Sequence, residues 1–456
     1  MTKRILLLAI AFLGAAVAIH AGQIKGQIEK GTGMAAIAVP DLRGSGDAQA
    51  RMATFNQTLW SDLQASGLLK MVSKSLYPLQ VPRAPQDFRP PSPINGRPSS
   101  MPSGSGLWLT DWSGPPVNAN YLAFGYTGVE NGQLVLRGWL YNVTQNDLQN
   151  AQALGKIYLG TPDDNGARKV AHEFAADILG QFGGVSLAGT KIYFISDRTG
   201  HKEIWSMDYD GSNQKQRTSY KDTSITPAVS ADGSKIAFTT YAHQYPAITV
   251  ISTETWRRLQ FYNPVASMNA MPEFAPDGKH ILFSSTVTGF AQLYIANLDG
   301  GGLRRLAVSR ALDVEPKVNP KTGAEIVFVS DRGGHPQIYR MNMDGADVQR
   351  LTEGSGDAVN PAWNPDGQHI AFSWTRGYEP GNFNIFIMDV AANKEPLQLT
   401  HGAGRNEHPR WAPDGTHLVF DTTRSGKEQI WTMLADGTQL KQLTTQGQNT
   451  APVWGK

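Results

Sequence analysis

The 456 residues include no cysteine. That excludes disulfides, thiol catalysis and cysteine-ligated zinc, and leaves stability to the core and to the closure of sheets. Beyond the N-terminus there is no apolar run long enough to cross a bilayer. An excess of charge is also missing. Residues 1–21 read as a cleavable signal: Lys3 and Arg4, an apolar core from Ile5 to Val17, then small residues, with cleavage after Ala21 or after Ala18. Cleavage removes two of the 41 basic residues and none of the 39 acidic ones, so the mature chain is formally neutral. A nucleic-acid partner calls for a basic stripe, and none is present. With no cysteine after the signal, a lipid anchor is not expected either.

Catalytic signatures are equally scarce. A Walker loop, a dinucleotide fingerprint and a Gly-x-Ser-x-Gly elbow are absent. Gly44-Ser45-Gly46 and Gly354-Ser355-Gly356 lack the leading glycine and read as turns. His172-Glu173 opens like a zinc-protease motif, but Ala176 stands where the second histidine belongs. No catalytic, cofactor-binding or metal-ligating residue is assigned, and no cofactor is expected.

What the chain does have is a repeat. Gly189, Gly233, Gly278, Gly323, Gly367 and Gly415 follow one another at steps of 44, 45, 45, 44 and 48 residues. A period of this length with four strands per unit marks a β-propeller, here of six blades. Each unit begins with a Pro-x-apolar strand, as in Pro272-Glu273-Phe274 or Pro361-Ala362-Trp363. Proline donates no ladder hydrogen bond and so suits the start of a strand. A Pro-Asp-Gly turn follows, for example Pro276-Asp277-Gly278, and then an alternating strand such as Ile281-Leu282-Phe283. Asp-Gly hairpin turns recur at Asp210-Gly211, Asp299-Gly300, Asp344-Gly345 and Asp436-Gly437. Ser196-Asp197-Arg198 and Ser330-Asp331-Arg332 sit at matching places and read as turn chemistry.

The last copy, Pro452-Val453-Trp454, has no strand after it, and the first Gly-x-x-Ile-x-Phe unit, at Gly189, has no clear Pro-x-aromatic segment before it. The two halves are expected to pair and close the ring, with Pro452 and Trp454 in the closing strand. Because the chain ends two residues beyond Trp454, no hydrolase domain is expected after the ring.

Residues 22–182 read as a small α/β domain with a mixed sheet, and 183–456 as the propeller. The small domain offers an apolar strand from Met34 to Val39, a helix from Asp47 to Ser66 stopped by Gly67, and a hairpin around Asn131-Gly132. A further strand from Gly155 to Leu159 and a helix from Ala167 to Phe182, capped by Asp163 or Asp164, complete it. Residues 78–106 hold eight prolines and read as an irregular, mobile loop.

The residues just before the repeat prolines vary: Thr226, Met271, Glu315, Asn360, His408 and Ala451. The innermost strand of a propeller lines its channel, so these side chains should ring one mouth, with Asn269, Asp313, Asn406, Glu407 and Asn449 close by. A mixture of acid, amide, imidazole and apolar groups suits docking of a protein or peptide better than a grip on one metal.

A signal, a small α/β domain and a six-bladed propeller with Pro-Asp-Gly turns together resemble the TolB family of the periplasmic Tol–Pal system. The run Ile37-Ala-Val-Pro-Asp41, followed by Phe55, Leu59, Leu63 and Ser66-Gly67, is similar to that family's first strand and helix. The resemblance implies a non-enzymatic, monomeric, periplasmic protein with two partners. A Pal-like peptidoglycan-associated lipoprotein would dock at the propeller mouth, carried here by Met268, Asn269, Met271, Glu315, Asn360 and His408. A TolA-like inner-membrane protein would bind the N-terminal segment at Gln23, Ile24 and Ile28. The role implied is outer-membrane integrity and constriction during cell division. The alternative is a propeller-based extracytoplasmic hydrolase or lyase acting in the channel.

Overall fold

The computed structural model describes residues 34–89 and 107–455, apart from 146, 243, 307 and 393. The signal and the segment carrying Gln23, Ile24 and Ile28 lie outside the described residues. The chain forms two compact units, which divide between Ala188 and Gly189. Among the described residues, no helix is long and apolar enough to cross a membrane.

The first unit is built on a six-stranded mixed sheet. Its strands are β1 (Ala35–Ala38), β2 (Arg43–Gly44), β3 (Leu69–Met71), β4 (Tyr121–Glu130), β5 (Gln133–Asn142) and β6 (Gln152–Gly160), in the order β3-β1-β4-β5-β6 with β2 beside β4. β1 runs parallel to β3 and β4, and β4, β5 and β6 alternate in direction. The β4–β5 hairpin turns at Asn131 and Gly132, both at positive φ (+50° and +75°), as a two-residue turn matched to strand twist requires.

Two helices cover one face: α1 (Met52–Ala65), entered through a 3-10 turn at Gly46–Arg51, and α2 (Asp164–Gln181). Phe55, Leu59, Leu63, Val170, Phe174 and Ile178 are fully buried there against Ile37, Leu136 and Leu140. Asp163, not Asp164, is the cap of α2: its Oδ1 accepts a hydrogen bond from Gly166 N at 2.7 Å. That bond holds the Asp163 carboxyl below its usual range.

On a second core of this unit, Leu107, Leu109, Trp112 and Val117 pack together with Phe88 and Val81 from the segment read as a loop. Its described part, 78–89, is irregular except for a 3-10 turn at Pro85–Asp87, yet Phe88 is buried. The Phe88 ring stacks on Tyr141 at 5.7 Å and meets Phe124 edge-on at 5.4 Å. Just before it, Tyr77 OH accepts from Val39 N and donates to Val72 O, and burial pushes its pKa up to about 12. A proline-rich composition concealed this role because the packing of the described part rests on few residues, Phe88 with Val81 and the buried Pro82.

The second unit is a six-bladed propeller of four-stranded antiparallel sheets. The innermost strands are Asn449–Gly455 (blade 1), Ser224–Val229 (blade 2), Asn269–Phe274 (blade 3), Asp313–Val318 (blade 4), Ala358–Trp363 (blade 5) and Asn406–Trp411 (blade 6). Each packs against the next, and blade 1's packs against blades 6 and 2, so the ring is closed. The closing strand pairs with Lys191–Ser196, with Trp454 opposite Ile192 and Val453 opposite Tyr193. Every blade buries a phenylalanine on its second strand: Phe194, Phe238, Phe283, Phe328, Phe372 and Phe420.

The turn chemistry carries one feature that the repeat did not reveal. In blades 3, 5 and 6 the turn aspartate binds the backbone and also a histidine three residues on: Asp277 with His280, Asp366 with His369 and Asp414 with His417, each at 2.6 Å. The bond to Asp366 raises the His369 pKa against the opposing effect of burial.

Candidate functional site

All six pre-proline residues adopt the left-handed backbone conformation. Their φ values are +52° (Thr226), +55° (Met271), +54° (Glu315), +54° (Asn360), +50° (His408) and +46° (Ala451). None is glycine. The pairing register of the innermost strand shifts at this point in every blade, so each of these residues sits in a β-bulge. The bulge lies at the third residue of each innermost strand, so the six positions are equivalent from blade to blade. The left-handed conformation costs an L-residue with a side chain roughly 1–2 kcal/mol. Strain of this kind persists where the surrounding structure over-determines it, and it clusters at functional sites.

Replacing Ala451 by glycine should therefore stabilise the protein by roughly 0.5–1 kcal/mol, the relief of strain less the added chain entropy of glycine. Urea unfolding will measure it. A loss of stability would show that the bulge is not strained.

Two rings face each other across the repeat prolines. The pre-proline ring is followed, one residue past proline, by Ala228, Glu273, Lys317, Ala362, Arg410 and Val453. Blades 1 and 2 thus contribute Ala451, Val453, Thr226 and Ala228, and blade 5 Asn360 and Ala362, whereas blades 3, 4 and 6 contribute all the charge. The polar groups link neighbouring blades. The Glu315 carboxylate accepts from Asn360 N at 2.7 Å and from Asn360 Nδ2 at 3.1 Å. Lys317 Nζ donates to Glu273 at 2.5 Å. Met271 N donates to Thr239 Oγ1 at 3.0 Å, and Thr226 shares a hydroxyl bond with the same Thr239.

His408 lies 2.8 Å from Asp421, whose side chain is only 3% exposed, while the imidazole keeps 30% of its surface open. Burial works against the charged imidazole, but the charge and hydrogen bond of Asp421, helped by Glu407 and Glu315, push its pKa up to about 9. Burial raises the Glu407 pKa, with His408 and Arg405 opposing. Burial also holds Lys317 and Arg410 below their usual ranges despite nearby carboxylates.

Two groups on these innermost strands are not spent. Asn360 Oδ1 is buried and has no hydrogen-bond partner among the described residues. Among the described residues, Arg410 donates through Nη1 alone, to the carbonyls of Pro409 and Pro361. An unused buried acceptor costs roughly 1–3 kcal/mol, which a donor from outside would recover.

The structure brings together Met271, Glu315, Asn360 and His408 and sets two sequence candidates apart. Asn269 starts the blade 3 strand, and its side chain is buried, accepting from Ser285 Oγ at 2.7 Å and donating to Pro264 O at 2.9 Å. These bonds, with that of its backbone N–H to Pro246 O, anchor the start of the strand. Met268 lies in the loop before that strand, half-buried, its backbone N–H held by Thr286 Oγ1. Lys317, Arg410 and Asp421 are the site residues that reading the sequence missed. The post-proline position of each repeat was the available signal for the first two. The recurring arginines have a structural use: Arg198, Arg332 and Arg424 bind Asn449, Asp313 and Asn406 at the starts of the innermost strands.

The model of the TolB beta propeller domain matches residues 182–375 and 352–456. The chain belongs to the TolB propeller family. A TolB homolog from Chlorobium chlorochromatii is 32% identical over 230 residues, 50% of this chain and 50% of that protein. A protein named Tol-Pal system protein TolB, from Desulfosudis oleivorans, is 32% identical over 214 residues, 46% of this chain and 47% of that one. The chain thus spans about half the length of the curated TolB relatives it matches. The crystal structure of TolB from Acinetobacter baumannii aligns over 93% of this chain and 97% of its own, with a TM-score of 0.71 and 22% identity. That likeness shows the TolB fold.

Proposed function

We propose that this chain is a non-enzymatic, periplasmic interaction component of a Tol–Pal system, exported by a signal at 1–21 and working as a monomer. A Pal-like peptidoglycan-associated lipoprotein docks at the channel mouth over Met271, Glu315, Asn360 and His408, with Met268 and Asn269 beside them at the start of the blade 3 strand. A TolA-like inner-membrane protein takes the N-terminal segment with Gln23, Ile24 and Ile28. The two events serve outer-membrane integrity and constriction at cell division. The observation that carries this reading is the ring of six strained, non-glycine residues, together with the unspent Asn360 Oδ1 and Arg410 donors beside it. Tol–Pal is the system in the name of the Desulfosudis oleivorans relative.

Docking of this kind buries roughly 1,200–2,000 Å². Titration calorimetry with a soluble Pal-like domain tests it. Glu315→Arg combined with His408→Ala should weaken binding by at least about tenfold. Met271→Ala, which leaves the ionic network alone, should weaken it less. Unchanged affinity in the double variant, with cooperative unfolding retained, would refute the mouth as the docking site.

A second reading, a hydrolase or lyase in the channel, draws on the displaced titrations of His408, Glu407 and Lys317. Turnover of generic ester or peptide substrates that disappears in His408→Ala would establish it.

A further inference from the structure

The first unit carries a cleft of about 520 Å³. Its lining includes Asp41, Arg43, Val81, Arg83, Asp87 and Leu107. The two acids in it are already engaged. Asp41 is ion-paired with Lys74. Asp87 accepts from the backbone N–H groups of Arg83 at 2.6 Å and Ala84 at 3.1 Å. The two arginines are not: neither guanidinium has a hydrogen-bond or ion-pair partner among the described residues, and both are exposed.

Their backbones, by contrast, are fixed. Arg43 lies on β2, whose register against β4 sets Arg43 opposite Tyr126. The residue before it is clamped twice by Asn56, which accepts from Leu42 N and donates to Leu42 O. Arg83 is held by the Asp87 carboxylate at the entry to the Pro85–Asp87 turn. Leu42, Pro82 and Leu107, all buried, give the same lining an apolar floor, and the fully exposed Leu79 also borders the cleft.

We infer that this cleft binds an extended acidic peptide, two carboxylates of which take the Arg43 and Arg83 forks while an aliphatic side chain between them rests on the Leu42–Leu107 floor. A carboxylate suits a guanidinium fork through two parallel N–H bonds. A phosphate fits less well here. The turn's backbone N–H groups, which a phosphate would use, are taken by Asp87, and two carboxylates in the wall repel a dianion more than a monoanion. The site is separate from the propeller mouth and does not rest on the Tol–Pal reading.

The test uses the full mature chain and a fluorescein-labelled peptide of alternating glutamate and leucine, followed by anisotropy at low salt. Saturable binding is expected. Arg43→Glu or Arg83→Glu alone should raise Kd about tenfold or more, and the two together should abolish binding. Arg43→Lys, which keeps the charge and loses the fork, should fall between. Both side chains are exposed, so melting temperatures should stay at the wild-type value. A peptide with lysine for glutamate should not bind, and inorganic pyrophosphate should compete only weakly. The inference is overturned if the labelled peptide shows no saturable binding, if the double charge reversal leaves its affinity unchanged, or if pyrophosphate binds more tightly than the peptide.

Discussion

A chain lacking residues 451–456 is expected to melt far below the full-length protein, and Trp454→Ala alone to cost roughly 3–5 kcal/mol. The total stability of a domain is only about 5–15 kcal/mol, so either change consumes a large share of it. The truncation removes the pairing of Val453, Trp454 and Gly455 with Tyr193, Ile192 and Lys191. It leaves the Lys191–Tyr193 end of that strand an open edge and takes away most of the strand that packs against both blade 6 and blade 2. Trp454 is buried, and its Nε1 donates to Thr190 Oγ1 at 2.8 Å. Trp454→Phe keeps most of the apolar area and loses that bond, so it should cost about 1 kcal/mol. Gly455 has no room for a side chain, since a Cβ there would meet Val229 Cγ1 at 2.9 Å. Calorimetry of the truncated chain decides the matter: melting at the wild-type temperature would mean that the last strand does not hold the ring.

The second large effect belongs to His408. His408→Ala should destabilise the protein by roughly 3–5 kcal/mol near neutral pH, because Asp421 is left as a buried charge without its partner. Asp421→Asn added to that variant should recover part of the loss. The pH dependence has a definite sign. The folded pKa of His408, about 9, lies above the ordinary 6.5. Its contribution is therefore complete below about pH 6.5 and is lost as pH rises through about 9. Wild-type stability should fall by roughly 2–3 kcal/mol across that window from this group, and His408→Ala should lack that component. Lys317, held below its usual range by burial, contributes in the opposite direction at higher pH, so the wild-type-minus-variant difference is the quantity to plot. Equal pH slopes in wild type and variant would rule out the pair as the source.

The legible parts of this protein were those set by neighbours in sequence. Spacing of the glycines from Gly189 to Gly415 reports a turn that needs positive φ, and the turn recurs because each blade repeats the same short-range problem. Phe55, Leu59 and Leu63 mark a helix face by their separation alone, and Asn131-Gly132 marks a hairpin by the φ that its turn demands. The segment 78–89 was less legible, because its main contribution, the Phe88 ring, is seated on Tyr141 and Phe124 far along the chain.

The candidate site was legible by position and not by state. Counting back from each proline selects Thr226, Met271, Glu315, Asn360, His408 and Ala451, but nothing in those six residue types announces a left-handed backbone, which glycine usually signals. Nor does the sequence show that the side chain of Asn269, two residues before Met271, is buried and bonded to Ser285 and Pro264.

The sequence by itself determined the blade count, the turns, the pairing of the two half-repeats and the α/β character of the first unit, because these follow from local backbone energetics and hydrophobic period. Only the tertiary structure decided which groups meet. Closing six twisted sheets into a ring places residues about one repeat apart side by side: Glu315 with Asn360, and Glu273 with Lys317. The same ring pairs His408 with Asp421 inside one blade. The fold of the first unit likewise sets Arg43 and Arg83 on one cleft. Those meetings fix charge, strain and unspent hydrogen bonds, and such quantities depend on distance in space rather than along the chain.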